Sequence, residues 1–186
     1  TRRSSPPRVV FRHTPCPPRV VFRHAMYVPK PFVETDPAVL HRLIETHDFA
    51  LLVVSGGPGE APEAVHLPVV LDPARGPRGT LESHMARANP QWQEFPSIDE
   101  ALVIFQGPHA YVSPSWYASA PMVPTWNYTA VHAYGKPALI DDAAAARDHL
   151  ARLADRHEKD RETPWSLDGV PADFIANMQQ AIVAFE

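Results

Sequence analysis

The fold of this chain is decided by the stretch Thr-Trp-Asn-Tyr-Thr-Ala-Val-His-Ala-Tyr at residues 125–134. Aromatic and β-branched residues alternate along it, which predicts a long, half-exposed strand. Upstream, apolar runs at residues 49–55 and 65–71 predict two further strands, and residues 101–105 and 110–112 predict two short ones. Short strands therefore dominate residues 49–135.

Helices are predicted mainly towards the two ends of the chain. Asp36-Pro37 provides an N-cap carboxylate followed by a proline in the first helical turn. Asp141-Asp142 caps an alanine-rich helix, residues 171–185 predict a last helix, and residues 80–88 predict a short helix between strands. This order predicts the α+β class, with a closed or partly closed antiparallel barrel and peripheral helices.

Composition excludes two classes of protein. The longest purely aliphatic run in the 186 residues is Ala-Leu-Leu-Val-Val at residues 50–54. A membrane span needs about 20 apolar residues, so no membrane partner is expected. Cys16 is the only cysteine, which excludes a disulfide-stabilised secreted domain. We therefore expect a cytoplasmic protein.

Residues 1–25 differ from the rest of the chain. The octapeptide Pro-Pro-Arg-Val-Val-Phe-Arg-His occurs at residues 6–13 and again at 17–24, and the segment holds six arginines and no acidic residue. We interpret it as a disordered or non-native basic leader before a domain at residues 26–186; a nucleic-acid-binding arm is the alternative. The domain itself carries 11 basic and 21 acidic residues, a formal net charge of −10. Such a charge does not favour direct DNA binding.

Two segments carry candidate chemistry. In the helix predicted at residues 80–88, one turn brings together the hydroxyl of Ser83, the imidazole of His84 and the guanidinium of Arg87. These three groups suit the binding of a phosphate. The alternative is that Arg87 pairs with a carboxylate such as Glu82. In the second segment, residues 105–117 and 124–128, aromatic residues alternate with hydrogen-bonding residues and prolines. This pattern suits a slot for a flat heteroaromatic ring, although an ordinary aromatic core would show it too.

No catalytic or metal-binding motif accompanies these segments. The sequence has no nucleophile elbow, P-loop or dinucleotide fingerprint, and no pair of histidines at the spacing of a helical zinc site. Scattered histidines are more often hydrogen-bonded structural residues than ligands. We therefore assign no catalytic residue and expect no metal.

At these segments the sequence resembles the PaiB family, the FMN-binding negative transcriptional regulators. The resemblance runs in the family's order from residue 26 to the end of the chain, and the combination of its stretches is specific. The matching stretches are Met-Tyr-Val-Pro (26–29), His-Leu-Pro (66–68), His-Met-Ala-Arg-Ala-Asn-Pro (84–90), Phe-Gln-Gly-Pro-His-Ala-Tyr (105–111) and Pro-Thr-Trp-Asn-Tyr (124–128).

The resemblance implies a split β-barrel of the FMN-binding type that forms a homodimer, with FMN at the subunit interface and a role as a repressor. It implies FMN-phosphate contacts for Ser83, His84 and Arg87. It implies contacts near the flavin ring for Gln106, Trp126, Asn127 and Tyr128. Family members usually continue beyond residue 186 with a basic, polar tail, which we expect this chain to lack.

Two other functions remain open for such a chain. One is an FMN-dependent oxidoreductase of the split-barrel class, in which the flavin carries the hydride chemistry. The other is a haem-handling split barrel with a histidine such as His84 as the axial ligand.

Overall fold

The computed structural model describes residues 27–56 and 59–186, so the predicted leader at residues 1–25 lies outside the described residues. The described part forms three α-helices and seven β-strands, which confirms the α+β class. In chain order the elements are α1 (Pro37–Thr46), β1 (Phe49–Val54), β2 (Glu63–Pro68), β3 (Val70–Asp72), β4 (Thr80–Ala86), β5 (Ala101–Val112), β6 (Thr125–Gly135), α2 (Ala143–Glu158), α3 (Ala172–Gln180) and β7 (Ile182–Phe185).

The strands form two antiparallel sheets. The first has the order β2-β1-β5-β6, and the second has the order β3-β4-β7. Strand β1 shows why the sheets pack: Ala50, Leu52 and Val54 are buried on one face. The fully buried Phe105 of β5 packs in the same cluster as Ile44 of α1, so this helix covers one part of the core. Burial of such side chains supplies most of the stabilising free energy.

The helix predicted at residues 80–88 is wrong, because residues 80–86 form strand β4. Each edge of β4 is paired. Leu81 faces Leu71 of β3, and Met85 faces Val183 of β7. These hydrogen-bonded ladders come from residues distant in sequence, and they override the local pattern of short polar and apolar side chains.

The helix predicted at residues 171–185 is correct only in its first part. Helix α3 ends at Gln180, and residues 182–185 form β7, which pairs with β4. The apolar spacing of Phe174, Met178 and Ile182, at i, i+4 and i+8, predicts a buried stripe on this helix; that prediction is wrong, because Phe174 and Met178 are exposed and Ile175 is the buried residue of α3. Pairing with β4 gives the Ile-Val-Ala-Phe segment a buried strand position that the sequence pattern did not indicate.

The two short strands predicted around residues 101–112 are one strand. Strand β5 pairs with β6 from its first residue to its last, and the register of the pairing shifts at a bulge between Gln106 and His109. Beyond this bulge the hairpin extends past the core, and we call residues 106–112 and 125–130 the hairpin arm. Most side chains of the arm are exposed.

Gly107 sits in this bulge because the neighbouring strand comes very close. A Cβ atom at this position would lie 2.2 Å from the hydroxyl oxygen of Thr129 and 3.3 Å from its carbonyl oxygen. Glycine is common where one backbone approaches another in this way.

We expect Gly107→Ala to lower the free energy of unfolding by about 1–3 kcal/mol, the usual cost of forcing atoms into an occupied site. Adding Thr129→Ala removes the hydroxyl and should recover most of this loss. Urea unfolding of wild type, both single variants and the double variant measures the coupling. Equal losses in Gly107→Ala and the double variant would contradict the close approach.

Candidate functional site

A slot of about 380 Å³ lies on the outer face of β5 and β6. This volume falls within the range of small-molecule sites. Alternate residues of each strand point to this face, so aromatic, imidazole and amide groups meet there. The lining consists of Ile104, Gln106, His109, Trp126, Tyr128, Ala130 and His132.

The rings of the slot stand on an open face of the sheet. Trp126 meets Tyr111 edge-on at 5.7 Å between ring centroids, and its distance to the His109 ring is 6.4 Å. Trp126 is 61% exposed and Tyr128 is 59% exposed. A flat ligand on this face would contact rings on one side, and a second surface would have to cover the other.

Three of the four residues implied for the ring site lie in this slot, and one does not. Gln106, Trp126 and Tyr128 line it, whereas Asn127 points to the opposite face of β6 because side chains alternate along a strand. The ring contacts implied by the resemblance did not include His132, nor His109, although His109 lies in the candidate segment at residues 105–117. Their signal was the strand period: His132 lies two and four positions from Ala130 and Tyr128, and His109 is the cross-strand partner of Tyr128.

The slot histidine His132 is half-buried. Burial lowers the pKa of its imidazole below the usual range, because a low-dielectric surrounding disfavours the charged form. A neutral ring offers one donor and one acceptor nitrogen instead of a cation.

The prediction that Ser83, His84 and Arg87 share one helical turn is wrong, because β4 is a strand. Ser83 and His84 point to opposite faces of it. Ser83 is buried, and its hydroxyl donates to the carbonyl oxygen of Pro68 at 2.7 Å. The hydroxyl proton of Ser83 is therefore donated to a group within the fold.

Arg87 follows β4 and holds the connection between α3 and β7. Its Nε donates to the carbonyl of Gln180 at 2.8 Å, and its Nη2 donates to the carbonyl of Ile182 at 2.7 Å. The guanidinium also lies 5.9 Å from the ring centre of Trp92. The expected alternative, an Arg87–Glu82 pair, is wrong as well. Arg87 is an exposed residue, and within the described residues its Nη1 makes no hydrogen bond.

Glu82 is the centre of a buried charge cluster. Its side chain is 2% exposed, and it accepts a hydrogen bond from Arg75 Nη1 at 2.5 Å and another from Arg152 of α2. Burial alone would raise the pKa of this carboxyl, but His149 and Arg152 outweigh burial and lower it. The carboxylate is therefore ionised at neutral pH.

His149 and His84 extend this cluster towards the surface. His149 is fully buried, with Nδ1 3.5 Å from Glu82 and Nε2 3.1 Å from Nδ1 of His84. Burial, and to a lesser extent His149, lower the pKa of His84 to about 4. His84 is thus neutral at pH 7, which makes it a weaker phosphate receptor than a cationic histidine.

Among residues 27–56 and 59–186, no cluster of histidine, cysteine and acidic residues has the geometry to hold a metal ion. No helix in this part is long and apolar enough to cross a membrane.

Two antiparallel sheets, peripheral helices and an open aromatic slot define a split-barrel protein with a candidate ligand site on a sheet face. Comparison with known proteins gives the family. Residues 26–186 match the family model described as "Putative FMN-binding domain". The chain belongs to the PaiB family, and FMN is the cofactor of its domain.

Curated relatives support this assignment. The "Protease synthase and sporulation protein PAI 2" of Bacillus subtilis is 36% identical over 161 residues, which cover 87% of this chain and 75% of that protein. The uncharacterised protein AN0679 of Emericella nidulans is 26% identical over 198 residues, covering 87% of this chain and 79% of that protein.

Solved structures with low identity share the fold and confirm the split barrel. The first, from Bacteroides thetaiotaomicron, is described as a "putative 5-nitroimidazole antibiotic resistance protein"; it has a TM-score of 0.59 and 13% identity over 90% of this chain and 80% of that chain. The second, an FAD and haem binding protein from Mycobacterium smegmatis, has a TM-score of 0.57 and 19% identity over 82% of this chain and 65% of that chain.

The lowered pKa of His84 predicts an acid-sensitive stability. The unfolded chain binds a proton at this ring near pH 6.5, while the folded chain binds it only near pH 4. Stability is therefore fully present above pH 6.5 and is lost as the pH falls towards 4, by on the order of 1 kcal/mol per pH unit at most. The difference in unfolding free energy between wild type and His84→Gln should shrink over this range.

The measurement is urea unfolding at pH 7.0, 5.5 and 4.5. His66→Gln is the matched control, because His66 is an exposed residue of β2 whose ring stacks on the exposed Phe49. A difference between wild type and His84→Gln that stays constant with pH would contradict the buried, neutral state of His84.

Proposed function

We propose that this chain is an FMN-binding transcriptional regulator of the PaiB type, which acts in the cytoplasm as a homodimer and represses transcription. The observation that carries the proposal is the open aromatic slot of Gln106, Trp126 and Tyr128. Its residue types suit an isoalloxazine ring, and its open side requires a second surface.

The slot offers the two kinds of contact that a flavin ring needs. Trp126 and Tyr128 supply flat apolar area for stacking. The Gln106 amide has both donor and acceptor atoms, which match the mixed hydrogen-bonding edge of the ring. His109 and His132 add polar atoms at the margin of the same slot. These side chains provide binding and orientation, while the flavin, when bound, supplies the redox chemistry.

The dimer proposal rests on the outer face of the four-stranded sheet. Phe49 at the start of β1 is 66% exposed, and Tyr111, Trp126 and Tyr128 are exposed on the hairpin arm. Monomeric proteins rarely leave large apolar patches open to water. A second copy related by a twofold axis would cover this face and close the slot.

The phosphate proposal rests on Arg87 alone among the residues that the family resemblance implies for this group. Ser83 donates its hydroxyl proton inside the fold, and His84 is neutral. Arg87 keeps a permanent charge and the Nη1 donors, and its other nitrogens fix the guanidinium against two carbonyls. We propose that this fixed guanidinium contacts the FMN phosphate.

Repression through a protein partner fits the charge of the domain better than direct contact with DNA. Residues 26–186 carry a formal net charge of −10, which repels a polyphosphate. In this proposal the flavin-loaded dimer presents its surface to another component of the transcription apparatus.

We expect Trp126→Ala to weaken FMN binding about tenfold and to raise the dimer dissociation constant, since the ring contributes stacking area and covered surface. Flavin fluorescence quenching measures the first effect, and analytical ultracentrifugation measures the second. Trp165→Ala is the matched control, because Trp165 is half-exposed and lies outside the slot. Normal flavin affinity and dimerisation in Trp126→Ala would remove this residue from the site.

We expect Arg87→Lys to weaken FMN binding by about 1.5–3 kcal/mol, because lysine keeps the charge but cannot bind the two carbonyls and offer the Nη1 donors to the phosphate at the same time. Because riboflavin lacks the phosphate, its affinity for the Arg87→Lys variant should fall much less than that of FMN. Titration of both flavins against the same variant separates a phosphate contact from general damage to the fold. An equal loss for both flavins would contradict a contact between Arg87 and the phosphate.

A further inference from the structure

A cavity of about 70 Å³ lies between the two sheets. In the described part of the chain, the buried apolar side chains fall into two clusters. The first includes Leu52 and Phe185, and the second includes Ala50 and Ala133. All four residues line the cavity, so it lies where the two clusters meet. Protein interiors contain few voids larger than a water molecule, which makes this space a candidate ligand site.

The cavity opens to solvent at one end. Its apolar walls are largely buried, whereas Thr80, Tyr134 and Glu186 are partly exposed. Lys136, which also lines the cavity, is exposed. These residues lie where β4 begins and where β6 and β7 end. The mouth of the cavity is therefore at this edge of the two sheets, with Lys136 on its outer side.

The buried polar side chains of the wall already have partners. Glu82 accepts hydrogen bonds from Arg75 and Arg152. The hydroxyl of Ser83 donates to the carbonyl oxygen of Pro68 at 2.7 Å. These groups leave little for a water molecule to bind, and apolar cavities of this kind stay dry. The interior of the cavity therefore suits an apolar group.

Lys136 places a positive charge at the mouth. Its ammonium makes no hydrogen bond or ion pair within residues 27–56 and 59–186, whereas the carboxylate of Glu186 is paired with Arg75. Ligand sites are commonly apolar, with a few polar groups that fix the orientation of the ligand. An ammonium at the opening of an apolar cavity therefore matches a ligand with an apolar chain and an anionic end.

We propose that this cavity binds a short, unbranched aliphatic carboxylate. Its chain fills the space between the sheets, and its carboxylate pairs with Lys136 at the mouth. The volume limits the chain, because an engineered apolar cavity that holds benzene has about 150 Å³, roughly twice as much. A chain of about four to six carbons is therefore expected to fit, whereas an aromatic ring is not.

This site is distinct from the slot on the outer face of the same strands. Val103 and Ala133 line the cavity, whereas their neighbours Ile104 and His132 line the slot. Side chains alternate along a strand, so the two sites lie on opposite faces of β5 and β6. The inference therefore does not depend on flavin binding, and it can be tested on the full chain without flavin.

Isothermal titration calorimetry with butanoate, hexanoate, octanoate and dodecanoate tests the size of the site. We expect the affinity to rise about fourfold for each added CH₂ up to hexanoate, and to stop rising when a longer chain meets the closed end of the cavity. No binding of any of these acids would overturn the proposal. A steady rise as far as dodecanoate would overturn it too, because it would indicate association with an unbounded surface.

Intermolecular NOEs locate the bound acid. The hexanoate chain should show NOEs to the methyl groups of Leu67 and Ala133, which line the cavity. NOEs to the ring of Trp126 instead would place the acid in the slot and overturn the proposal.

Ala133→Val tests the cavity itself, because it adds two methyl groups to the wall. We expect hexanoate binding to fall below detection, with a thermal unfolding transition that stays cooperative. Ala64→Val is the matched control, because it makes the same change at an exposed position of β2 and should bind as wild type does. Unchanged hexanoate affinity in folded Ala133→Val would contradict binding in the cavity.

Lys136→Met tests the charge at the mouth. We expect hexanoate affinity to fall about threefold to fivefold, the scale of an exposed ion pair, while hexanol affinity stays unchanged. Lys159→Met is the matched control, because Lys159 is exposed and lies outside the cavity lining. An equal loss for hexanoate and hexanol, or no loss for hexanoate, would contradict a pair between Lys136 and the carboxylate.

Discussion

The structure depends on how Glu82 is neutralised. A carboxylate buried this deeply is tolerable only with partners, and removing one partner from such a cluster usually costs about 3–5 kcal/mol. The partners come from different parts of the chain: Arg75 from the turn before β4, and Arg152 and His149 from α2. Arg75 also binds Glu186 beyond β7. One buried charge thus fixes the position of α2 over the three-stranded sheet.

Local signals in the sequence were sufficient for some elements and not for others. Three elements could be predicted from their own residues, and the structure confirms them: α1 from its Asp36 N-cap, β1 from its apolar run and β6 from its alternating residues. Strands β4 and β7 could not be predicted in this way, because each is stabilised mainly by pairing with residues far away in sequence. No periodic pattern within a segment of nine residues indicates which distant strand will pair with it.

The candidate site shows the same division. The aromatic segment around Trp126 indicated a slot, because the chemistry of stacking residues is visible in the sequence itself. The alternation of side chains decides which residues share that slot, and it separates Asn127 from its neighbours and adds His109 and His132. The predicted phosphate-binding group of Ser83, His84 and Arg87 depended on a helix at residues 80–88, where the structure has strand β4. Its members have separate roles: Ser83 makes an internal hydroxyl bond, His84 contacts His149, and Arg87 anchors the connection before β7.

The pairing of β4 with β7 has a kinetic consequence. Ser83 pairs with Phe185, which lies about a hundred residues later in the chain. During synthesis on the ribosome, one edge of β4 therefore has no hydrogen-bonding partner until nearly all of residues 27–186 have been made. Contacts this distant in sequence also close slowly, because the intervening loop must lose its entropy first. An open strand edge invites pairing with other chains. Aggregation of this protein during synthesis should therefore begin at β4.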